Sequence, residues 1–219
     1  MKFTHIHQSK WLKYYLNKNF DNKLGVFLEI GVGNIISHDF CVYPEKYKEK
    51  KWNELPIIGS NTIELLQIGW EGYYFDPVPL FVEQAKLLAP DKNKIYTKAV
   101  GLGKNNEEKF LRAGDTFLER DTQSIPNVNW INKTYKIQNA NEALLESNIP
   151  NFIDFFSLDV EGYELNILES IDFNKYKFNL VFVEVERVTL EGVANLLPNY
   201  KCIEYDQSNA LFQHNEFSK

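Results

Sequence analysis

Short apolar runs recur along the chain, and segments in which apolar residues recur at helical spacing separate them. A continuous apolar run is typical of a strand buried on both faces of a sheet, whereas helical spacing is typical of a helix with one buried side. The pattern predicts strands over residues 24–31, 73–77, 95–100, 152–158, 180–185, 200–205 and 209–213. It predicts helices over residues 8–20, 60–68, 80–88, 139–148, 163–171 and 189–197.

This alternation of strands and helices predicts an α/β fold, in which helices cover both faces of a mostly parallel sheet. The last two strands have no helix between them, so we expect them to form an antiparallel pair at one edge of the sheet. The chain has 219 residues, which fits one domain of ordinary size. We therefore expect a single domain over residues 1–219, with an N-terminal helix at about 8–20.

Two segments do not follow the pattern. Residues 34–58 are polar, contain scattered aromatic side chains and are long for a loop. This segment is either a lid over a binding site or a solvated surface insertion. Residues 109–112 are typical of one half of a β-hairpin, while the pattern makes no assignment for residues 113–134.

The composition, with 44% hydrophobic and 25% charged residues, is that of a folded domain. A net charge of −6 argues against a nucleic-acid partner, because phosphate binding usually requires a basic surface. Cys41 and Cys202 have neither the spacing of a metal site nor the number of a disulfide framework. No leader-like apolar segment and no membrane-spanning run is visible. We expect a cytoplasmic protein without a membrane partner, and a homodimer is left open.

Polar residues and glycines stand just beyond the apolar runs, where ligands bind in open parallel sheets. A single acid at such a position has simpler explanations, such as a helix cap or an exposed strand end. Five strand ends together favour a ligand site. The residues are Glu29, Gly31 and Gly33 after the first strand, Asp76 after the second, Val100 and Gly101 after the third, Asp159 and Glu161 after the fourth, and Glu184 and Glu186 at the fifth.

The turn with Gly31 and Gly33 begins like the phosphate-binding turn of a dinucleotide site. However, Ile36 stands where the third glycine would fall, and Asp76 lies much farther on than the acid that binds the NAD ribose. These differences disfavour NAD. A ligand with an amino-acid part, a ribose and an adenine suits the residues better, because Glu29 could accept from an ammonium group and Asp76 from both ribose hydroxyls. S-adenosylmethionine is such a ligand.

Several stretches of the sequence resemble the FkbM-type methyltransferases. The resemblance covers residues 25–186 and implies a class I, Rossmann-like methyltransferase fold with a seven-stranded sheet and one antiparallel strand near its end. It also implies an enzyme that uses S-adenosylmethionine to methylate a hydroxyl oxygen of a sugar or a small natural product. The matching stretches are residues 27–31, 60–62, 69–77, 98–101, 180–184 and, most specifically, 155–164.

The resemblance implies a role for each matching position. Segment 34–58 separates the glycine turn from residues 60–62, which suggests an acceptor site peculiar to this protein. The residues that would bind the donor are Glu29, Gly31 and Gly33 in the turn, Asn61 in the next stretch, Asp76 at the ribose, Val100 and Gly101 around the adenine, and Asp159 near the methyl group.

If the acceptor is a hydroxyl, a base helps to remove its proton. Asp159 is the first candidate for this catalytic role and Glu161 the second, but Asp159 could instead be a structural or donor-binding acid. Glu161 could instead shape the turn or bind the amino-acid part of the donor. His38 is a further candidate base, because histidine titrates near neutral pH. Alternatively, Asp159 and Glu184 could hold a divalent cation such as Mg²⁺ that acidifies the hydroxyl.

The expected partner is a small-molecule or glycan acceptor, whose identity the sequence does not reveal. N-methylation is an alternative to O-methylation. Two other classes of function stay open: an enzyme that uses another adenine-containing cofactor, and a non-catalytic binding or scaffold protein that has kept the fold.

Overall fold

The computed structural model describes residues 10–20, 23–33, 35, 60–113 and 131–217. The expected lid over residues 34–58, including His38, lies outside the described residues except for Ile35. Ile35 is fully buried, and its backbone N–H donates a hydrogen bond to Gln84 Oε1 (2.9 Å). The chain that leaves the glycine turn is therefore attached to the residues around Gln84.

The strands of the described residues form two sheets, and most of them follow the predicted apolar runs. Phe155, Phe156 and Val181 illustrate the reason, since all three are fully buried. The strands are β1 (Val26–Ile30), β2 (Glu71–Asp76), β3 (Ile95–Ala99), β4 (Gly101–Gly103), β5 (Glu107–Ala113), β6 (Ile131–Asn139), β7 (Phe152–Leu158), β8 (Lys177–Glu184), β9 (Tyr200–Tyr205) and β10 (Asn209–His214).

The main sheet has seven strands in the order β3-β2-β1-β7-β8-β10-β9. The first five strands in this order are parallel, and β10 runs antiparallel to both β8 and β9. The predicted fold class is therefore confirmed, including the antiparallel pair at the edge. The strand order reverses beside β1, and ligands of open α/β sheets bind at the carboxyl ends of the strands at such a point.

Helices cover both faces of the main sheet, and each face has its own apolar core. Phe27 and Phe155 belong to one core and Leu28 and Phe156 to the other, because successive strand residues point to opposite faces. On the first face lie α1 (Lys10–Phe20), α2 (Ile63–Gln67) and α3 (Pro79–Leu88); on the second lie α4 (Ala140–Glu146), α5 (Glu164–Leu168) and α6 (Leu190–Leu196).

Helix α2 begins at Ile63 and not at Ser60, where the sequence pattern placed the start of the helix. Ser60 has a φ of +78°, which is not a helical conformation. Its hydroxyl oxygen accepts hydrogen bonds from the backbone N–H groups of Ile63 (3.1 Å) and Thr62 (3.2 Å). Ser60 therefore closes the turn that leads into α2, a competing use of a serine side chain near a helix start.

The second sheet has the order β4-β6-β5, with β6 parallel to β4 and antiparallel to β5. The predicted half-hairpin at 109–112 lies within β5, whereas β6 has no counterpart among the predicted strands. Its buried residues Tyr135 and Ile137 flank the exposed Lys136, which is the alternation of a half-buried strand. This signal is only a few residues long, so it does not stand out from the polar stretch before it.

Candidate active site

A cavity of about 300 Å³ lies between the carboxyl ends of the main sheet and the second sheet. Its wall follows the sheet edge from strand to strand, through Val100 after β3, Pro77 after β2, Gly31 after β1 and Val160 after β7. Apolar side chains form most of the lining. The charged side chains of the lining, Glu161 and Arg187, follow the ends of β7 and β8. The remaining lining residues are Ile30, Phe75, Gly101, Leu102, Ile137, Gly162 and Tyr163.

Gly31 lies at the point where three strand ends come closest. It has a φ of +82°, and a Cβ at this position would lie 1.6 Å from the carbonyl oxygen of Asp159. The Gly31 N–H donates to the carbonyl of Phe75 (3.0 Å), and the Asp159 N–H donates to the carbonyl of Ile30 (3.1 Å). A glycine is therefore required here, and it leaves bare backbone facing the cavity. At Gly33, by contrast, a Cβ would meet open space among the described residues.

Glu29 is almost wholly enclosed, with 2% of its surface exposed. Its Oε2 accepts hydrogen bonds from the hydroxyls of Ser60 (2.9 Å) and Thr62 (2.5 Å), and its Oε1 accepts from the backbone N–H of Asn61 (3.0 Å). Burial raises the pKa of Glu29 to about 7, although these hydrogen bonds act in the opposite direction. The carboxylate thus joins residues 60–62 to β1. A contact of Glu29 with the ammonium group of a donor stays a prediction.

Asp76 is buried at the end of β2, with 3% of its surface exposed. Its Oδ2 accepts from the backbone N–H of Gly33 (3.1 Å) and its Oδ1 from the backbone N–H of Val78 (2.8 Å). Burial raises the pKa of Asp76 to about 7 against the effect of these hydrogen bonds. The carboxylate joins the glycine turn to the start of α3, and the next residue, Pro77, forms the cavity wall. A contact with the ribose hydroxyls stays a prediction.

The turn after β7 is held by a carboxylate that the sequence analysis did not single out. Glu164 is 1% exposed, and its Oε1 accepts from the backbone N–H groups of Val160 (3.0 Å) and Gly162 (3.1 Å). Within this turn, Glu161 and Gly162 have φ values of +57° and +108°. Such a conformation is uncommon for a residue with a side chain, and the two hydrogen bonds to Glu164 stabilise it. Glu164 therefore positions Glu161 at the cavity.

Three half-buried carboxylates meet beside this end of the cavity, and Glu161 is the one among its lining residues. Asp159, Glu161 and Glu184 each offer an oxygen, and these oxygens lie within 4.8 Å of one another because β7 and β8 are neighbouring parallel strands. Arg187 Nε pairs with Glu161 Oε2 at 3.1 Å. Burial, together with the charge of Asp159 and a hydrogen bond to it, raises the pKa of Glu184 well above its usual range. At neutral pH, the pair of Asp159 and Glu184 therefore holds one proton between its two carboxyl groups.

The same oxygens are ligands of the kind that Mg²⁺ prefers. The structure brings Asp159 and Glu184 together, as a shared cation would require, but groups of acids are also common without a metal. A proton shared by Asp159 and Glu184 also relieves the repulsion between them. The divalent cation therefore stays a prediction.

Tyr163, Arg187 and Ile137 line the cavity but are not among the candidate site residues of the sequence. Tyr163 lies inside the stretch 155–164, and Arg187 follows directly after Glu186, so both had a local signal. Glu186 itself is exposed. Ile137 had no comparable signal, because it depends on the pairing of β6 with β4. It lies in the same cavity wall as Val100 and Gly101, the two positions expected around an adenine.

A family model described as the methyltransferase FkbM domain matches residues 54–213, which is most of the chain. The chain belongs to the FkbM methyltransferase family. The match begins after β1 and the glycine turn and reaches into β10, whereas the resemblance visible in the sequence covers residues 25–186. Both include the turn after β7 that carries the acids. A search of curated proteins finds no match.

Three solved structures are similar to this FkbM family member. The methyltransferase FkbM from Methylobacillus flagellatus is 12% identical with a TM-score of 0.48, and the match covers 87% of this chain and 44% of that one. The fibrillarin pre-rRNA processing protein of Methanococcus jannaschii is 8% identical with a TM-score of 0.42, covering 87% and 66%. A fibrillarin–Nop5p complex is 9% identical with a TM-score of 0.45, covering 98% and 88%. The chain thus spans less than half the length of the first of these proteins.

Membership of the FkbM family implies S-adenosylmethionine as the methyl donor, and the residues at the site fit such a ligand. The apolar lining of the cavity suits a nucleoside, and Gly31 and Gly101 leave backbone free to approach it. Asn61 Nδ2 donates to Ser157 Oγ (3.2 Å), while its buried Oδ1 has no hydrogen-bond partner within the part of the chain that the structure describes. Asn61 is not among the residues that line the cavity, so its contact with the donor stays a prediction.

Among the described residues, no helix combines the length and the apolar character that crossing a bilayer requires.

Proposed function

We propose that this FkbM family member transfers the methyl group of S-adenosylmethionine to a hydroxyl oxygen of a sugar or another small-molecule acceptor. The observation that carries the proposal is the continuous cavity that runs from the glycine turn at Gly31 to the carboxylate cluster at Glu161. Along this cavity a donor and an acceptor can meet beside an ionised carboxylate. The alternatives of a different adenine-containing cofactor and of a scaffold protein lack a comparable observation.

The donor, when bound, supplies a methyl carbon that the acceptor oxygen attacks in line with the carbon–sulfur bond. The protein aligns the two partners and excludes water, and alignment alone contributes about 7–11 kcal/mol in favourable cases. The mostly apolar wall of the cavity performs the exclusion. Val100 and Gly101 lie at the end of the cavity that is expected to hold the adenine, and Arg187 and Glu161 lie at the end expected to hold the acceptor.

Asp159 is the proposed base that accepts the proton of the acceptor hydroxyl at a carboxylate oxygen. Asp159 and Glu184 share a hydrogen bond and hold one proton between them at neutral pH, so the pair has one position for an incoming proton. Glu161, the second candidate, is paired with Arg187 and serves better to hold the turn and the edge of the acceptor pocket.

The carboxylate cluster also favours a hydroxyl over an amine as the acceptor. With one proton on the Asp159–Glu184 pair and with Glu161 paired with Arg187, the cluster keeps a net negative charge, which stabilises a positive charge in its vicinity. An amine would be held in its protonated form, which has no free electron pair to attack a methyl group. A hydroxyl is neutral and loses its proton as the new bond forms, so it suits a base such as Asp159.

Titration calorimetry with S-adenosylhomocysteine tests the donor, with NAD in parallel as the control ligand. Binding of S-adenosylhomocysteine with a dissociation constant on the order of micromolar, and no heat with NAD, is the expected result. Binding of NAD without binding of S-adenosylhomocysteine would indicate that the protein uses NAD as its cofactor and not S-adenosylmethionine. Binding of neither would overturn the proposal.

The acceptor is tested by transfer of a labelled methyl group to a panel of monosaccharides, glycosides and small hydroxylated compounds, with amines as controls. Label that appears in an O-methyl product supports the proposal, and label on the amines alone would move it to N-methylation. Donor binding without transfer to any acceptor class would support the scaffold alternative. A homodimer, a cytoplasmic location and the absence of nucleic-acid and membrane partners stay predictions.

A further inference from the structure

We propose that Ile137, carried on β6 of the second sheet, sets the width of the donor cavity and determines how the adenine of the donor is bound. This inference rests on the proposed use of S-adenosylmethionine. It assigns a binding role to a strand and a side chain that the motif-bearing segments do not include. The supporting observations are the position of Ile137 against β4, the attachment of β6, and the chemistry of the cavity wall.

Ile137 belongs to β6 and packs against the neighbouring strand β4, whose first and last residues, Gly101 and Gly103, have no side chains. Ile137 pairs with Gly101 in the parallel register of β4 and β6. A Cβ at Gly101 would lie 2.4 Å from Ile137 Cδ1, and a Cβ at Gly103 would lie 2.9 Å from Ile137 Cγ2. Both distances are shorter than a carbon–carbon contact allows. The glycines of β4 are therefore what lets Ile137 lie flat against this strand.

The missing side chain at Gly101 also lies on the side of the cavity. The same Cβ position is 3.6 Å from Pro77 Cβ, and Pro77, Gly101 and Ile137 all line the cavity. A methyl group at Gly101 would therefore displace Ile137 Cδ1, and this displacement would change the shape of the cavity that both residues line. We therefore expect a side chain at position 101 of β4 to change the width of the cavity through its contact with Ile137.

The strand that carries Ile137 is attached on both sides of this residue. Lys98 Nζ donates to the side-chain oxygen of Gln138 (2.8 Å), and the Asn139 N–H donates to Asn106 Oδ1 (2.8 Å). On the other side, Tyr135 and Ile137 form an apolar cluster with Val78. Ile137 is 6% exposed and β-branched, so its χ1 angle is restricted. The attachment of β6 and the restricted χ1 angle therefore fix the Ile137 side chain at the cavity as far as Cγ1 and Cγ2.

The surroundings of Ile137 match a flat, largely apolar ring. Phe75, Val100 and Leu102 contribute apolar surface to the same cavity, while the charged groups enter where β7 and β8 end. An adenine ring buried between such side chains loses water from both of its faces, which favours binding.

A double-mutant cycle tests this coupling, because Ile137→Val removes Cδ1, the atom that an alanine at position 101 would strike. Gly101→Ala should weaken the binding of S-adenosylhomocysteine by about tenfold or more, and Ile137→Val alone by about threefold or less. The double variant should bind within about threefold of Ile137→Val. Adenosine alone should show the same pattern, since the proposed contact is with its adenine. Calorimetry measures all four proteins with both ligands.

Ile149→Val is the matched control, because Ile149 is equally buried but lies outside the cavity lining. It should bind both ligands as the wild type does. Should Gly101→Ala lower the melting temperature too far to be measured, Ile137→Phe narrows the cavity from the same wall and should abolish binding of both ligands in a folded protein.

Two results would overturn the inference while the proposed function stands: a wild type that binds S-adenosylhomocysteine together with a Gly101→Ala variant that binds equally well, or a double variant that regains nothing. A wild type that does not bind S-adenosylhomocysteine would instead overturn the proposed function itself.

Discussion

The acids at the carboxyl edge of the main sheet form two groups that differ in what surrounds them. Glu29 and Asp76, at the ends of β1 and β2, are enclosed and accept hydrogen bonds from protein N–H and O–H groups. Asp159, Glu161 and Glu184, at the ends of β7 and β8, are half-buried and lie close to one another. The first group joins chain segments, whereas the second concentrates negative charge beside a cavity.

This difference shows that an acid after a strand has no fixed meaning. A carboxylate with several donors is satisfied, and its removal leaves buried donors without a partner. Carboxylates within 4.8 Å of one another repel, and they must share a proton or bind a cation. The hydrogen bonds of Glu29 and Asp76 lower the pKa values that burial raises, whereas at Glu184 the charge of Asp159 and the hydrogen bond to it raise the pKa further, a combination typical of functional sites. We therefore infer that the second group carries the chemistry and that the first keeps the edge of the sheet in shape.

Replacement of the proposed base gives the largest expected effect. Asp159→Asn should lower the rate of methyl transfer by about 100-fold or more, because an amide does not accept the hydroxyl proton. Affinity for S-adenosylhomocysteine should stay within about threefold of the wild type. Glu169→Gln, at an exposed acid paired with Lys104, is the matched control and should keep full activity. Full activity of Asp159→Asn would end its assignment as the base.

Removal of an enclosed acid should lower the stability of the fold more than it lowers the rate of methyl transfer. Glu29→Ala takes the acceptor away from the Ser60 and Thr62 hydroxyls and from the Asn61 N–H, which should lower the free energy of unfolding by about 2 kcal/mol. Glu29→Gln should cost less, because its amide oxygen still accepts. Urea denaturation measures both variants. An alanine variant as stable as the wild type would contradict the structural role of Glu29.

Asp76 separates the two roles most sharply, because it was expected at the ribose and is found between Gly33 and Val78. Asp76→Ala should weaken binding of S-adenosylhomocysteine by more than about tenfold. Calorimetry gives the affinity, and thermal denaturation gives the stability of the same samples. Unchanged affinity together with a lower melting temperature would leave Asp76 with the structural role alone.

The smallest expected effect is the contribution of the enclosed acids, Glu29 and Asp76, to the pH dependence of stability. Burial raises the pKa of Glu29 from 4.5 and that of Asp76 from 3.8 to about 7. The unfolded chain loses these protons first, so their contribution to stability is fully present below the unfolded values and is lost as the pH rises through about 7. Glu29→Gln should therefore lose less stability than the wild type between pH 4.5 and pH 8. Equal losses in the two melting curves would be evidence against the raised pKa of Glu29.

The strands of the main sheet were largely predictable because burial on both faces leaves a continuous apolar run, as in β7 and β8. β6 was not, since its apolar signal within the described side chains rests on Tyr135 and Ile137. The candidate site shows the same division. The acids at strand ends were visible as residues, but the ion pair of Glu161 with Arg187 and the turn held by Glu164 were not.

By itself, the sequence determines the order of strands and helices, the edge at which the acids stand, and the resemblance to the FkbM family. These properties are local, because they depend on the periodicity of neighbouring residues and on short motifs. The tertiary structure alone decides that Glu29 meets residues 60–62, that Arg187 pairs with Glu161, and that Ile137 lies on Gly101. These contacts join residues far apart in the chain, and they follow from strand order and register, which no local pattern contains.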